Sequence, residues 1–361
     1  MKNFQFYDAQ HLRTWTKVRR YETKLGERLR TLGTRAAEPG AGPNWKASLS
    51  ADPARYVLLG IPEDIGVKAN GGVGGTSTAW QAFLEAFLNA QSTDLFSGEE
   101  VLLLGAFDFS DVNNTIEQNA KNTEEGMQAY RHAVAGVVDE EVEGLIKHIT
   151  AAGKIPLVIG GGHNNAYPLI KGAAKGWKQA GRIENARINA INLDAHADFR
   201  IEEGRHSGNA FRYAMTEGFL DKYAVIGLHE NYNSQSMMDD LYQETRIQYS
   251  TYEDIFLRGT LSFEQAVQVG IAFTGPLLTG IELDLDVVEQ ALSSAQTPCG
   301  VTPLQARQYL WQVASELPAA YLHIAEGAVR TEDGRQSSTM GKLIGYLVAD
   351  FVKSRVGRAA Q

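Results

Sequence analysis

Cysteine is nearly missing from this chain: one residue, Cys299, stands in 361. A lone thiol cannot close an internal disulfide, so nothing points to an oxidising compartment, and a reducing cytoplasm is the expectation. Long apolar runs are missing too. No stretch reaches the roughly 18 to 20 apolar residues that span a bilayer, and MKNFQFYDAQHLRTW lacks the apolar centre of a secretion signal. A soluble, unprocessed protein without a membrane partner is expected. Basic charge is in deficit, with 34 Lys and Arg against 43 Asp and Glu for a net charge of -9. Polyanion binders carry the opposite balance, which argues against nucleic acid and favours a small-molecule partner. Internal repeats and low-complexity tracts are also lacking.

What is present suffices for a large core, because 43% of the residues are hydrophobic. Residues 1–50 mix basic and polar types, as in TKVRRYETKLGERLRTLGTR, and finish near the Gly- and Pro-rich AAEPGAGPNW. This texture predicts a helical N-terminal extension followed by one domain over 51–361. From Tyr56 short apolar runs recur: YVLLGI, VLLLGAF, IPLVIGGG, INAINLD, YAVIGL, LLTGIELDLD and YLHIAEG. Unbroken runs of this length suit parallel strands covered on both faces, and many of the intervening segments are long enough for helices. One such segment repeats Val134, Val137, Val138, Leu145, Ile146 and Ile149 at helical spacing and ends near Gly153. The predicted fold is α/β, with a mostly parallel central sheet and helices on both sides.

Open α/β sheets place their chemistry at the carboxyl ends of strands. Four of the runs end there in polar residues: His163 and Asn164; Asp194, His196 and Asp198; Asp284 and Asp286; and Glu326. Singly, an Asp after a strand caps a turn, and a His there is an ordinary hydrogen-bonded residue. Together they need another explanation. Four aspartates crowded at one sheet edge repel each other at a cost of several kcal/mol unless positive charge sits among them, and a pair of divalent ions supplies it.

Spacing adds a condition. In an extended strand Asp194 and Asp198 lie about 13 Å apart, so the chain must curl at the small residues Ala195 and Ala197 for both to reach one ion pair. Two imidazoles and four carboxylates suit Mn²⁺ or a neighbouring ion, and paired ions can activate a shared water.

GGGHNNAYP, NLDAHADFR and ELDLD, in that order, resemble the metal-binding blocks of the ureohydrolase family of arginase, agmatinase and formimidoylglutamase. The likeness runs from GIPEDIGVKANGG near residue 60 to HIAEGA near 325. It implies a three-layer α/β/α fold, two Mn²⁺ per subunit, and a homo-oligomer. By motif position it implies that His163 binds the first ion and His196 the second, with Asp194 and Asp284 bridging, Asp198 completing the first shell and Asp286 the second. In this family a bridging hydroxide attacks a guanidinium or amidine carbon. Asp198 then carries a proton to the leaving amine, and Glu326 holds the cationic end of the substrate.

Departures bear on the substrate. Phe211 replaces the histidine that arginases place after Gly-Asn, leaving His206 as the nearest alternative, and Glu282 stands where the third block usually begins with Ser. DAHADFR and SGNAF resemble the formimidoylglutamase branch instead, whose substrate is an amidine carried on glutamate. A glutamate body calls for cationic or polar contacts. Arg200, Arg205 and Arg212 on one loop, with Asn209 among them and Lys68 in the earlier GVKANGG loop, are the candidates, Arg200 first; HENYN after YAVIGL could add His229, Glu230 or Asn231. The expected activity is manganese-dependent hydrolysis of N-formimidoyl-L-glutamate to glutamate and formamide. A urea-releasing guanidine hydrolase and a metal-binding protein without turnover are the alternatives.

Overall fold

All seven apolar runs form strands in the computed structural model, which describes residues 2–33 and 44–356. In chain order the strands are β1 (Phe4–Phe6), β2 (Tyr56–Gly60), β3 (Val101–Phe107), β4 (Ile155–Ile159), β5 (Ile188–Leu193), β6 (Leu220–Leu228), β7 (Ile247–Thr251), β8 (Thr279–Asp284) and β9 (Ala319–Ala325). They make one sheet of nine, ordered β1-β3-β2-β4-β9-β8-β5-β6-β7. Every pairing is parallel except that of β1 with β3. Strands β2, β3, β4, β5, β8 and β9 are buried along their whole length, which requires cover on both faces. Helices provide it: Asp139–Ala151 packs on Ala166–Gln179 in one layer, and Met340–Val356 packs on Ala79–Phe87 and Pro303–Glu316 in the other.

The helical repeat around Val134 is real but not uniform. The helix Thr123–Ala133 passes through a π turn, Val134–Val138, into Asp139–Ala151, and Gly153 follows at φ +75°.

The helical extension expected over residues 1–50 is corrected in part. Ala9–Trp15 and Asn44–Ala51 are helices, but Phe4–Phe6 is the antiparallel edge strand of the sheet. Its Phe4 ring meets Phe107 edge-on at 4.9 Å, so two alternating phenylalanines in FQF reach the core from a three-residue strand. Most of AAEPGAGPNW, residues 36–43, lies outside the described residues. The edge pairing depends on Gly105, which sits at φ +148° and whose added Cβ would fall 1.9 Å from the Gln5 carbonyl oxygen. Gly105→Ala is expected to cost about 1–3 kcal/mol and to speed amide exchange at Phe4–Phe6, checked by hydrogen–deuterium exchange.

Candidate metal centre

The four strands with polar ends, β4, β9, β8 and β5, are consecutive neighbours in the sheet. With about 4.8 Å between strands, their carboxyl ends lie within about 15 Å of each other. Residues 163, 326, 284, 286, 194, 196 and 198 leave these ends on one side. The curl falls where small residues permit it: β5 stops at Leu193, Ala195 and Ala197 are fully buried, and Asp198 takes the left-handed region at φ +46°. Glu326 is also left-handed, at φ +62°. Non-glycine residues reach this region at a cost of about 1–3 kcal/mol, met only where surrounding packing imposes it.

Two groups of side chains converge. In the first, His163 Nδ1 lies 2.9 Å from Asp198, 3.1 Å from Asp194 and 3.2 Å from Asp284. None of these contacts has the alignment of a hydrogen bond, and the buried nitrogen has no hydrogen-bond partner. A ring nitrogen carries at most one proton, so hydrogen bonding could not satisfy three oxygens in any case. A cation among the four groups would satisfy all of them. The second group is Asp194, His196 and Asp286, with His196 Nδ1 2.9 Å from Asp286 and 3.8 Å from Asp194. Asp194 belongs to both groups. Asp284 falls in the first only, and its Oδ1 accepts the Asp286 N–H at 2.8 Å.

A third triad, His163, Glu282 and His323, lies behind the first. Glu282 accepts from Tyr321 Oη at 2.6 Å, pairs with His323 Nδ1 at 2.7 Å and comes within 3.4 Å of His163 Nε2. Its two oxygens are met by the Tyr321 hydroxyl and the His323 ring, and its charge lies beside His163 Nε2, which has no hydrogen-bond partner. Phe211 closes the same face, meeting His163 edge-on at 5.2 Å and stacking on Tyr223 at 4.2 Å.

Charge in the cluster is unbalanced without cations. Burial, then the neighbouring Asp194, raises Asp198. Burial with Asp286 and Asp194 pushes Asp284 well up, and burial with Asp284 does the same to Glu326. Asp286 rises to about 6, chiefly by burial. Burial opposes charge on His163 and His196, but the facing carboxylates outweigh it and raise both. Each shift is a carboxylate resisting ionisation or an imidazole held protonated to offset its neighbours. Hard to borderline divalent ions fit this donor set of imidazole and carboxylate.

The groups face a cavity of about 180 Å³. Glu326 lines it; Oε1 accepts the His163 N–H at 2.9 Å, and the buried Oε2 has no partner. Arg200 lines the rim, donating to Asn70 Oδ1 at 2.8 Å and to Glu203 at 2.6 Å. The other expected substrate contacts do not reach the cavity. Asn209 is fully buried, bonded to Arg205, the His206 N–H and the Gly204 carbonyl. Arg212 donates to the Phe199 carbonyl and Asp240 and borders a separate groove. Arg205 is buried against Asp139 and the Asn164 carbonyl. Lys68 is held by Glu117 and Glu332, and Glu230 by Arg258. His206 is fully buried behind the cavity wall, its Nδ1 accepting the Gly208 N–H, and burial first, then Arg200 and Arg131, lowers it to about 4.

The profile of the arginase family matches residues 54–346. The chain belongs to the arginase family. It is 28% identical to the formimidoylglutamase of Nocardia farcinica over 322 residues that cover 85% of this chain and 90% of that protein. Bacillus subtilis formimidoylglutamase has the same fold, with a TM-score of 0.66 at 18% identity over 94% of this chain and 93% of that one. So does Trypanosoma cruzi formiminoglutamase crystallised with Mn²⁺, at a TM-score of 0.63 and 18% identity over 86% and 97% of the two chains. Like the family, this protein is a hydrolase of non-peptide carbon–nitrogen bonds in linear amidines. Among the described residues no helix is long and apolar enough to cross a membrane.

Sequence reasoning missed Asn70, Ser207, Tyr232, Asn233 and Met237 on the cavity wall. The last three follow β6, which neighbours β5. The sequence pointed to this segment but to His229, Glu230 and Asn231, whereas Tyr232 and Asn233 of HENYN are the ones that reach the wall.

Proposed function

We propose that this arginase-family protein hydrolyses N-formimidoyl-L-glutamate to glutamate and formamide at a binuclear manganese centre. His163, Asp194, Asp198 and Asp284 would hold one ion, and Asp194, His196 and Asp286 the other. Bound divalent ions would neutralise the carboxylates and supply an activated water. The chain's own groups do the rest. Glu326 Oε2, buried and unpartnered, accepts from the cationic amidinium and holds its planar carbon over the cluster. Attack of water gives a tetrahedral carbon. Asp198 takes the proton released and delivers it to the nitrogen that departs with glutamate, so that formamide is left behind.

The observation that carries the choice of substrate is Arg200 at the cavity rim. Asn70 and Glu203 occupy two of its five N–H donors, leaving others for a substrate carboxylate. A guanidinium on the rim of the cavity that the cluster faces favours an anionic substrate body and disfavours the ammonium tail of agmatine. Relatives that match over four fifths or more of this chain are named formimidoylglutamases, which supports this reading. A product assay on the Mn²⁺-loaded protein tests this: formamide from N-formimidoyl-glutamate is expected, and urea from arginine or agmatine with no formamide would refute it. Arg200→Ala is expected to raise KM for N-formimidoyl-glutamate about 10- to 100-fold, a loss of about 1.5–3 kcal/mol of charge-assisted binding, with a smaller change in kcat. Steady-state kinetics check it.

A further inference from the structure

The segment HENYN after β6 carries three observations that the reading above leaves unused. The first is a continuous stack of rings. His196 lies against Tyr232 at 5.4 Å and 19°, Tyr232 against His229 at 4.9 Å and 8°, and His229 against Tyr252 at 4.6 Å and 22°. Near-parallel rings at these separations are in the attractive stacking range.

The second is a backbone clamp. The His229 N–H donates to the Ala195 carbonyl at 2.9 Å, Asn233 Nδ2 to the same carbonyl at 3.0 Å, and the Ala197 N–H to Asn233 Oδ1 at 2.9 Å. Residues 229 and 233 therefore grip both sides of His196. Asn233 Nδ2 also donates to the His229 carbonyl at 2.8 Å, closing the loop on itself.

The third is a contrast between the two imidazoles. His163 is fully buried and packed between Glu282, His323 and Phe211, although its Nε2, 3.4 Å from Glu282, makes no hydrogen bond. The His196 side chain is 29% exposed, and among the described residues no hydrogen bond holds its Nε2. A ligating histidine needs something to fix its ring plane, a hydrogen bond on the far nitrogen or close packing, and His163 has packing on every side. His196 has a ring face instead. Tyr232 in turn is fixed by its hydroxyl, hydrogen-bonded with Thr297 Oγ1 at 3.1 Å, and by its N–H to the His229 carbonyl at 3.1 Å.

We infer that Tyr232, stacked on His229 in a loop that Asn233 ties to Ala195 and Ala197, is a positioning residue that orients His196 for the second metal subsite. The inference rests on the metal reading of the Asp194, His196 and Asp286 group. Losing the ring frees His196 to rotate out of that group, while the first group keeps its own support. Second-sphere losses of this kind weaken metal binding about 10- to 100-fold.

The test is Mn²⁺ titration of the metal-free full chain against a competing fluorescent chelator, with wild type, Tyr232→Leu, Tyr232→Phe and Tyr252→Leu. Wild type is expected to bind two ions. Tyr232→Leu is expected to weaken one binding step at least about tenfold and leave the other within about twofold, with an unchanged far-ultraviolet circular dichroism spectrum. Tyr232→Phe keeps the ring and is expected to stay within about threefold of wild type. Tyr252→Leu, which removes only the distal ring, is expected to shift the same step by a smaller factor. Wild-type binding of both ions by Tyr232→Leu, or equal weakening of both steps, would overturn the inference while sparing the metal centre. Absence of any Mn²⁺ binding by wild type would overturn both.

Discussion

Replacing Asp194 with Asn is expected to lower kcat/KM for the amidine substrate at least about 1000-fold, or about 4 kcal/mol of transition-state stabilisation. Asp194 is the one carboxylate common to both convergent groups, and an amide keeps its shape while surrendering the charge that holds the ions. The metal-free protein should respond in the opposite sense. Asp194 is among the charges that raise Asp198, Asp284 and Asp286, so its removal relieves repulsion in a fully buried cluster. Metal-free Asp194→Asn is therefore expected to match or exceed the wild type in urea-unfolding midpoint, with loss of activity and no loss of stability. A variant that is both inactive and unfolded would show Asp194 to be a structural acid.

Glu282→Ala is expected to cost about 3–5 kcal/mol of stability in the metal-free protein, because it strands the buried Tyr321 hydroxyl and His323 imidazole. Urea unfolding at neutral pH checks it. The acid limb gives a second readout. Burial alone would raise the Glu282 pKa, but His323 and His163 outweigh it and hold the carboxyl down at about 2, against an unfolded value of 4.5. A depressed carboxyl contributes stability that is full above pH 4.5 and lost as pH falls toward 2. Glu282→Gln removes that segment of the pH dependence while keeping the side-chain volume. The same geometry changes the meaning of the departure at this position: a carboxylate there faces the far nitrogen of His163, leaving Nδ1 toward the aspartates.

The central strands were legible because a strand buried on both faces must be apolar throughout, and YVLLG, VLLLGAF and IPLVI are. The two strands that were not, FQF and IQYST, are the sheet's outermost pair, where one side is free and polar residues are tolerated. The acids and imidazoles of the centre were legible for the converse reason: such groups at the ends of buried strands are costly without a counter-charge. The loop arginines were not separable. Arg200, Arg205 and Arg212 fall within thirteen residues, yet one rims the cavity, one is buried and one borders another groove. What divides them is a partner from elsewhere in the chain, such as Asp139 for Arg205 at 3.0 Å, which no local pattern announces. The Tyr232 stack is likewise tertiary, since its rings come from three separate segments.

The central claim is that two dications reconcile the charges at the ends of β4, β5 and β8. Anomalous diffraction at the manganese edge, from crystals grown with Mn²⁺, tests it most directly. Two peaks about 3.5–4 Å apart are expected, one bounded by His163, Asp198 and Asp284, the other by His196 and Asp286, with Asp194 touching both. A single peak, or none between these side chains, would contradict the account.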